Sequence, residues 1–203
     1  TTAPTAPITR NAWDVISLYG EAYTSSGLNG VTWDEGADAV EETIAGNKVL
    51  KITAGNFIGF ELPAGVDATD MTHFHMDYWI PVDYAIGQVF NPKLSNHEMA
   101  GGAPGESESK LYTIEITASD VKVWKSFDGT LDAFKRGNIL QLLIADSGTI
   151  SSSYIDNVYM YRAATTAGVS DNAALNVSMY PNPAAGVLNL SAANTIEDAI
   201  IYN

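Results

Sequence analysis

Three groups of side chains in this sequence have types and spacings suited to chemistry. Between Asp70 and Pro81 the residues alternate, Phe74, Met76, Tyr78 and Ile80 falling on one face of a strand and His73, His75, Asp77 and Trp79 on the other. A His-x-His pair on one strand face, with an aspartate two residues on, suits a shared transition metal. The same three residues equally suit a polar sheet face held together by hydrogen bonds. Trp33 stands among Thr32, Asp34 and Glu35, Phe57 follows Asn56, Tyr84 follows Asp83, and Trp124 lies between Lys122 and Lys125. Exposed rings beside amides and carboxylates suit the flat apolar face of a sugar ring together with its hydroxyl groups, so these four are the candidate carbohydrate contacts. Each ring taken singly also fits core or rim packing. The third group is Asp156, with Glu21 and Ser17, whose oxygens suit a hard cation such as calcium. Asp156 alternatively caps a turn.

The elements that must position these groups are strands. Ile139 to Ala145 is almost continuously apolar and is expected to be buried on both faces. In the stretch that follows, Ile155, Val158 and Met160 compete with Tyr154, Tyr159 and Tyr161 for the interior, and Asp156-Asn157 interrupts them. Residues 137–162 are therefore expected to form a central antiparallel hairpin closing a β-sandwich. Upstream, Val15–Tyr19, Val40–Ile44, Lys48–Thr53 and Phe57–Leu62 are expected strands, the last three parted by the turn pairs Gly46-Asn47 and Gly55-Asn56. Gly27 to Gly36 is expected to be a loop carrying Trp33, and Asn91 to Lys110, rich in Gly, Ser and charge, a long one. Leu111–Ile116 alternates as a further strand. Many short strands with no helical period give the fold class: all-β, an antiparallel β-sandwich or jelly roll.

Composition narrows the partners. Of 203 residues, 46% are hydrophobic and 4 Trp, 10 Tyr and 6 Phe supply ring surface, enough to bury the core of one sandwich domain. No stretch approaches the roughly 18 apolar residues of a membrane span, so membrane insertion is not expected. Ten basic residues against 24 acidic ones give a formal charge of -14. That charge repels phosphate backbones and anionic lipid, leaving neutral ligands, cations or a cell-surface matrix, although it also simply keeps an exported protein soluble. There is no cysteine, hence neither disulfide nor thiolate chemistry. Catalytic signatures are missing too: Glu41 and Glu42 are adjacent and point to opposite strand faces, and there is no Gly-x-Ser-x-Gly, phosphate loop or His-Glu-x-x-His. A catalytic role is not expected.

Thr1 to Pro7 is Pro- and Thr-rich and is expected to be an extended linker; with no leader before it, the chain is expected to be a mature exported form or a fragment. The expected organisation is linker 1–7, sandwich 8–162, small-residue linker 163–171 and a partial β-domain 172–203.

Two resemblances sharpen this. Tyr180-Pro-Asn-Pro-Ala, Val187-Leu-Asn-Leu-Ser191 and Ile200-Ile-Tyr-Asn203 resemble the start of the C-terminal sorting domain of proteins exported by the type IX secretion system of Bacteroidetes. The likeness ends before that domain's later strands, so a truncated version is expected. Residues 8–162 resemble a carbohydrate-binding-like jelly-roll module appended to secreted bacterial laminarinase-type proteins. Ala12-Trp-Asp-Val-Ile-Ser-Leu-Tyr-Gly-Glu-Ala-Tyr-Thr24, Trp33, Ala45-Gly-Asn-Lys-Val-Leu-Lys-Ile52, Asn56-Phe-Ile-Gly59, Met71 to Trp79 and Tyr154 to Tyr161 carry that likeness. It implies non-catalytic binding of extracellular polysaccharide, β-glucan type favoured, by a secreted or cell-surface protein. Such modules often carry a structural calcium, here expected at Ser17, Glu21 and Asp156. The other expected partner is the type IX secretion machinery, with no nucleic acid. A structural or adhesive surface protein of the same fold, without a sugar site, is the alternative.

Overall fold

The computed structural model describes residues 2–25, 27–34, 37–53, 57–82, 86–97, 108–146, 152–163, 178–180, 186 and 189–191, with the backbone alone for 29–34, 63 and 178–180. The chain divides into two compact units, Thr1–Ala163 and Ala164–Asn203. In the second, β13 (Ser178–Tyr180) pairs antiparallel with β14 (Asn189–Ser191), Met179 opposite Leu190.

The first unit is an antiparallel β-sandwich of jelly-roll type. Its strands are β1 (Val15–Tyr19), β2 (Asn29–Asp34), β3 (Asp38–Ile44), β4 (Asn47–Thr53), β5 (Phe57–Val66), β6 (His73–Trp79), β7 (Val89–Asn96), β8 (Glu108–Leu111), β9 (Ile114–Glu115), β10 (Trp124–Thr130), β11 (Ile139–Asp146) and β12 (Ser152–Tyr161). Sheet A runs β10-β6-β12-β4-β3, with β1 also on β12; sheet B runs β2-β5-β11-β7-β8, with β9 also on β7. From β4 to β7 and again from β9 to β12 the chain alternates between the sheets, with β7, β8 and β9 staying in sheet B, which is how one sequence builds both layers around one core. That core holds Phe74, Met76 and Ile80 from β6 and its end, Leu50 and Ile52 from β4, Ile155, Val158 and Met160 from β12, and Ile58, Phe60, Phe90, Leu94, Leu142 and Ile144 from sheet B. Among the described residues the helical content is one turn of 3₁₀ helix at Ala12–Asp14, and no helix is long and apolar enough to cross a membrane.

The β6 alternation is as expected: Phe74, Met76, Tyr78 and Ile80 are buried inward, and His73, His75, Asp77 and Trp79 line the other face. Three expectations change. Residues 137–162 do not form a hairpin, because β11 is the central strand of sheet B, between β5 and β7, while β12 is central in sheet A, between β6 and β4. Two runs apolar enough for central positions each take one, in different layers. The supposed loop around Trp33 is in part β2, paired with β5 so that Trp33 stands opposite Gly59. The supposed long loop at Asn91–Lys110 begins as β7 and ends as β8, with residues 98–107 outside the described residues. In β7 the positions Phe90, Pro92 and Leu94 point inward at period two. Pro92, which cannot donate to a ladder, and the polar residues between them disguise the strand.

One glycine is fixed by close packing. A Cβ on Gly129 of β10 would lie 2.4 Å from the Tyr112 ring, which stacks on Phe74 at 5.5 Å and donates its hydroxyl to the Thr130 carbonyl at 3.0 Å.

Candidate functional site

The outer face of sheet A is built in rungs, because antiparallel register sets side chains of neighbouring strands side by side. One rung is aromatic: Trp124 of β10 faces Trp79 of β6, which faces Tyr154 of β12, which faces Lys51 of β4. The Tyr154 ring lies edge-on to Trp79 at 5.5 Å and tilted to Trp124 at 6.5 Å. Lys51 reaches over Tyr154 and pairs with Glu42 at 2.8 Å. All three rings are half-buried. They offer flat apolar surface without leaving the fold.

The next rung is polar, with Ser126 opposite Asp77 and Asp77 opposite Asp156. Asp77 accepts from the Ser126 hydroxyl at 2.5 Å and from the Asn157 amide at 2.7 Å. Asp156 is 1% exposed and accepts from the Asn47 amide at 2.8 Å and the Asn157 N–H at 2.7 Å. Burial pushes its carboxyl up to about 6, helped by the charges of Asp77 and Glu21 and opposed by those hydrogen bonds. Asn157 sits in left-handed backbone at φ 48° at the irregularity between Asp156 and Tyr159. This β-bulge explains the three-residue step from Ile155 to Val158, since one extra residue restores both to the core side.

Below the bulge the rungs turn aromatic again. His75 stacks on Tyr159 at 4.5 Å and His73 on Tyr161 at 5.0 Å. The His75 Nδ1–H donates to Asp128 at 3.0 Å, and its Nε2 lies 3.4 Å from Asp77. Burial works against protonation of His75, but the two carboxylates outweigh it and raise its pKa. Tyr161 donates to the same Asp128 oxygen at 2.9 Å. His73 bonds Thr72 at 2.8 Å. Both histidines thus belong to a hydrogen-bonded sheet face, and among the described residues no three His, Cys, Asp or Glu side chains gather as a metal group.

Of the candidates marked in the sequence, Trp124 stands on this face. Trp33 and Phe57 lie in sheet B, Phe57 half-buried at the start of β5, so the structure does not gather them with Trp124; Tyr84 lies outside the described residues. Of the expected calcium ligands, Glu21 and Asp156 approach each other closely enough for the charge of one to act on the other. Ser17 is buried opposite Tyr159, and Glu21 accepts from the Lys48 N–H at 3.2 Å, beside the Asn47 that bonds Asp156. The residues that sequence reasoning did not mark as sugar contacts are Trp79, Tyr154, Tyr159, Tyr161, Ser126 and Asp128. Their signal was present: Trp79 shares the β6 parity of His75 and Asp77, and the three tyrosines share one face once Asn157 is counted as a bulge.

The segment 2–10 runs over this face. The Trp124 indole donates to the Thr2 carbonyl at 2.5 Å, the Asn157 amide to the Thr5 carbonyl at 3.4 Å and the Tyr23 hydroxyl to the Ile8 carbonyl at 2.5 Å. The Arg10 guanidinium sits 3.8 Å above the Tyr161 ring.

No protein-family model matches the sequence, and no curated protein matches it either. Solved structures of similar fold include carbohydrate-binding modules. One is a family 28 module specific for non-crystalline cellulose, with 13% identity over 66% of this chain and 86% of that one and a TM-score of 0.48. Another is the family 11 module of the cellulosomal cellulase Lic26A-Cel5E of Clostridium thermocellum, with 15% identity over 64% and 84% and a TM-score of 0.45. A family 30 module gives 7% identity over 73% and 99%, at 0.45.

Proposed function

We propose that the outer face of sheet A binds extracellular polysaccharide without transforming it, a neutral β-glucan being the favoured ligand. The carrying observation is the rung Trp124, Trp79 and Tyr154 lying directly beside the rung Ser126, Asp77 and Asp156. Rings take the apolar faces of successive sugars, and the exposed polar side chains of the same face, Ser126 and Asp128, take their hydroxyl groups, on a floor held by the buried Asp77 and Asp156. The carboxylates on the face, in a chain of formal charge -14, oppose uronic-acid polymers and favour uncharged ones. Calcium at Ser17, Glu21 and Asp156 is a separate part of this reading, supported by the approach of two carboxylates, Glu21 and Asp156, at the start of β4. The Tyr180-Pro-Asn-Pro element supports export through the type IX secretion machinery of a Bacteroidetes cell, and so a secreted or cell-surface location.

The test is affinity electrophoresis of the chain against laminarin, a mixed-linkage β-1,3-1,4-glucan, xylan and alginate. Retardation by a neutral glucan, lost in Trp79→Ala and Tyr154→Ala, supports the proposal. Retardation by none of them, with the chain folded, moves the reading to a structural or adhesive surface protein.

A further inference from the structure

The segment Thr2 to Arg10 occupies the face that the proposed function assigns to polysaccharide. Pro4 and Pro7 fix its backbone in extended form, so little conformational freedom is lost when it lies down. Each hydrogen bond described above between this segment and the rest of the unit is accepted by one of its backbone carbonyls, the donors being the Trp124 indole, the Asn157 amide and the Tyr23 hydroxyl. Two of those donors, Trp124 and Asn157, stand on the sugar-binding rungs or at their bulge. They suit a sugar oxygen as well as a peptide carbonyl. Beneath the segment lies a cavity of about 310 Å³, lined on the sheet side by His75, Asp77, Ser126, Asp128, Tyr159 and Tyr161.

The hold is polar and lacks apolar anchorage, resting on the three carbonyl hydrogen bonds and on Arg10, which stacks over Tyr161 and bonds Tyr159. Ile8, its large apolar side chain, is 67% exposed and adds nothing to the core. The Arg10 Nε is buried with no hydrogen-bond partner, a cost that release of the segment removes. No residue of 2–10 belongs to a strand of either sheet.

We propose that residues 2–10 act as a built-in competitor, a peptide strap seated on the carbohydrate face that a polysaccharide must displace. This rests on the polysaccharide reading of sheet A and adds a regulation to it. The apparent dissociation constant is then the intrinsic one divided by the fraction of molecules whose strap is released, so a strap seated in about 90–99% of molecules weakens binding roughly 10- to 100-fold. Anything that draws the strap away, including a partner that binds extended Pro/Thr-rich peptide, switches the face on.

The experiment compares the full chain with a form lacking residues 1–9 and with a Pro4→Gly, Pro7→Gly double variant, using the glucan panel above. Strap seating is read without any sugar, from the Trp124 indole N–H resonance, assigned by its loss in Trp124→Phe. Expected are a shift of that resonance on truncation, at least about 10-fold tighter binding by the truncated form with a smaller gain in the double variant, and faster tryptic cleavage after Arg10 of the full chain at saturating glucan. An unmoved indole resonance, or equal affinities of the full and truncated chains for a glucan that both bind, overturns the strap and leaves the polysaccharide reading standing. Binding of no glucan by either form overturns the polysaccharide reading and the strap's role with it.

Discussion

Replacing Asp156 by Asn should make the protein more stable at neutral pH and barely change it at pH 4. Asp156 is buried in sheet A, and its carboxyl is raised to about 6 by burial and by the neighbouring charges of Asp77 and Glu21. In the unfolded chain the same group titrates near its ordinary value of 3.8. A carboxyl whose folded pKa lies above its unfolded one favours the fold while protonated. That contribution is complete below about pH 4 and is lost as pH rises through about 6. A shift of roughly two units corresponds to at most about 3 kcal/mol, reached by about pH 7 to 8. The asparagine carbonyl still accepts from the Asn157 N–H, and the Asn47 amide can turn to offer its oxygen, giving up only its exposed bond to the Lys48 carbonyl at 3.1 Å. Urea unfolding of both proteins from pH 4 to pH 8 gives the test. The stability of Asp156→Asn minus that of the parent should climb with pH by up to about 3 kcal/mol, most of it between about pH 4 and 7. His75, whose pKa is also raised, loses stability in the same direction but is present in both proteins and cancels. Parallel profiles, or a difference that falls as pH rises, would refute the account of Asp156 as a buried, charge-crowded acid.

Three further outcomes follow from the same packing. Asn157→Val forces a β-branched residue into left-handed backbone and removes the amide that holds Asp77, so urea unfolding should show a loss of about 2 kcal/mol or more, against a smaller loss for Asn157→Gly. Phe74→Ala, which empties a fully buried ring site stacked on Tyr112, should cost about 3–5 kcal/mol in the same assay and leave the outer rungs chemically intact. If calcium is held by Ser17, Glu21 and Asp156, a chelator should lower the melting temperature and Glu21→Gln should abolish that sensitivity; a melting curve indifferent to chelator removes calcium from the reading.

The sandwich was legible because its central strands carry period-two or unbroken apolar patterns. Phe74, Met76, Tyr78 and Ile80 fixed β6 and its inner face without ambiguity. What escaped were features that depend on partners distant in sequence. β2 is a strand because β5 is there to pair with it, and its Asn-Gly start looks like a turn when seen alone. β7 hides behind Pro92 and its outward polar residues. The hairpin expected from residues 137–162 failed for a different reason, since adjacency in sequence does not say whether two central strands share a layer. At the site, single rings flanked by polar residues drew attention to Trp33, Phe57 and Tyr84. The face itself is defined by register, which sets Trp79 beside Trp124 and Tyr154. The Asn157 bulge was the obstacle. Without it the tyrosines of β12 fall on both faces, and with it they fall on one.

The most direct test of the central claim is an NMR titration of the assigned protein with the glucan that retards it most, following which residues respond. The account predicts shifts at the Trp79 and Trp124 indoles, Tyr154 and the Ser126 and Asn157 amides, saturating together. Shifts confined to sheet B, around Phe57 and Gln141, or no shifts at any glucan concentration, would contradict it.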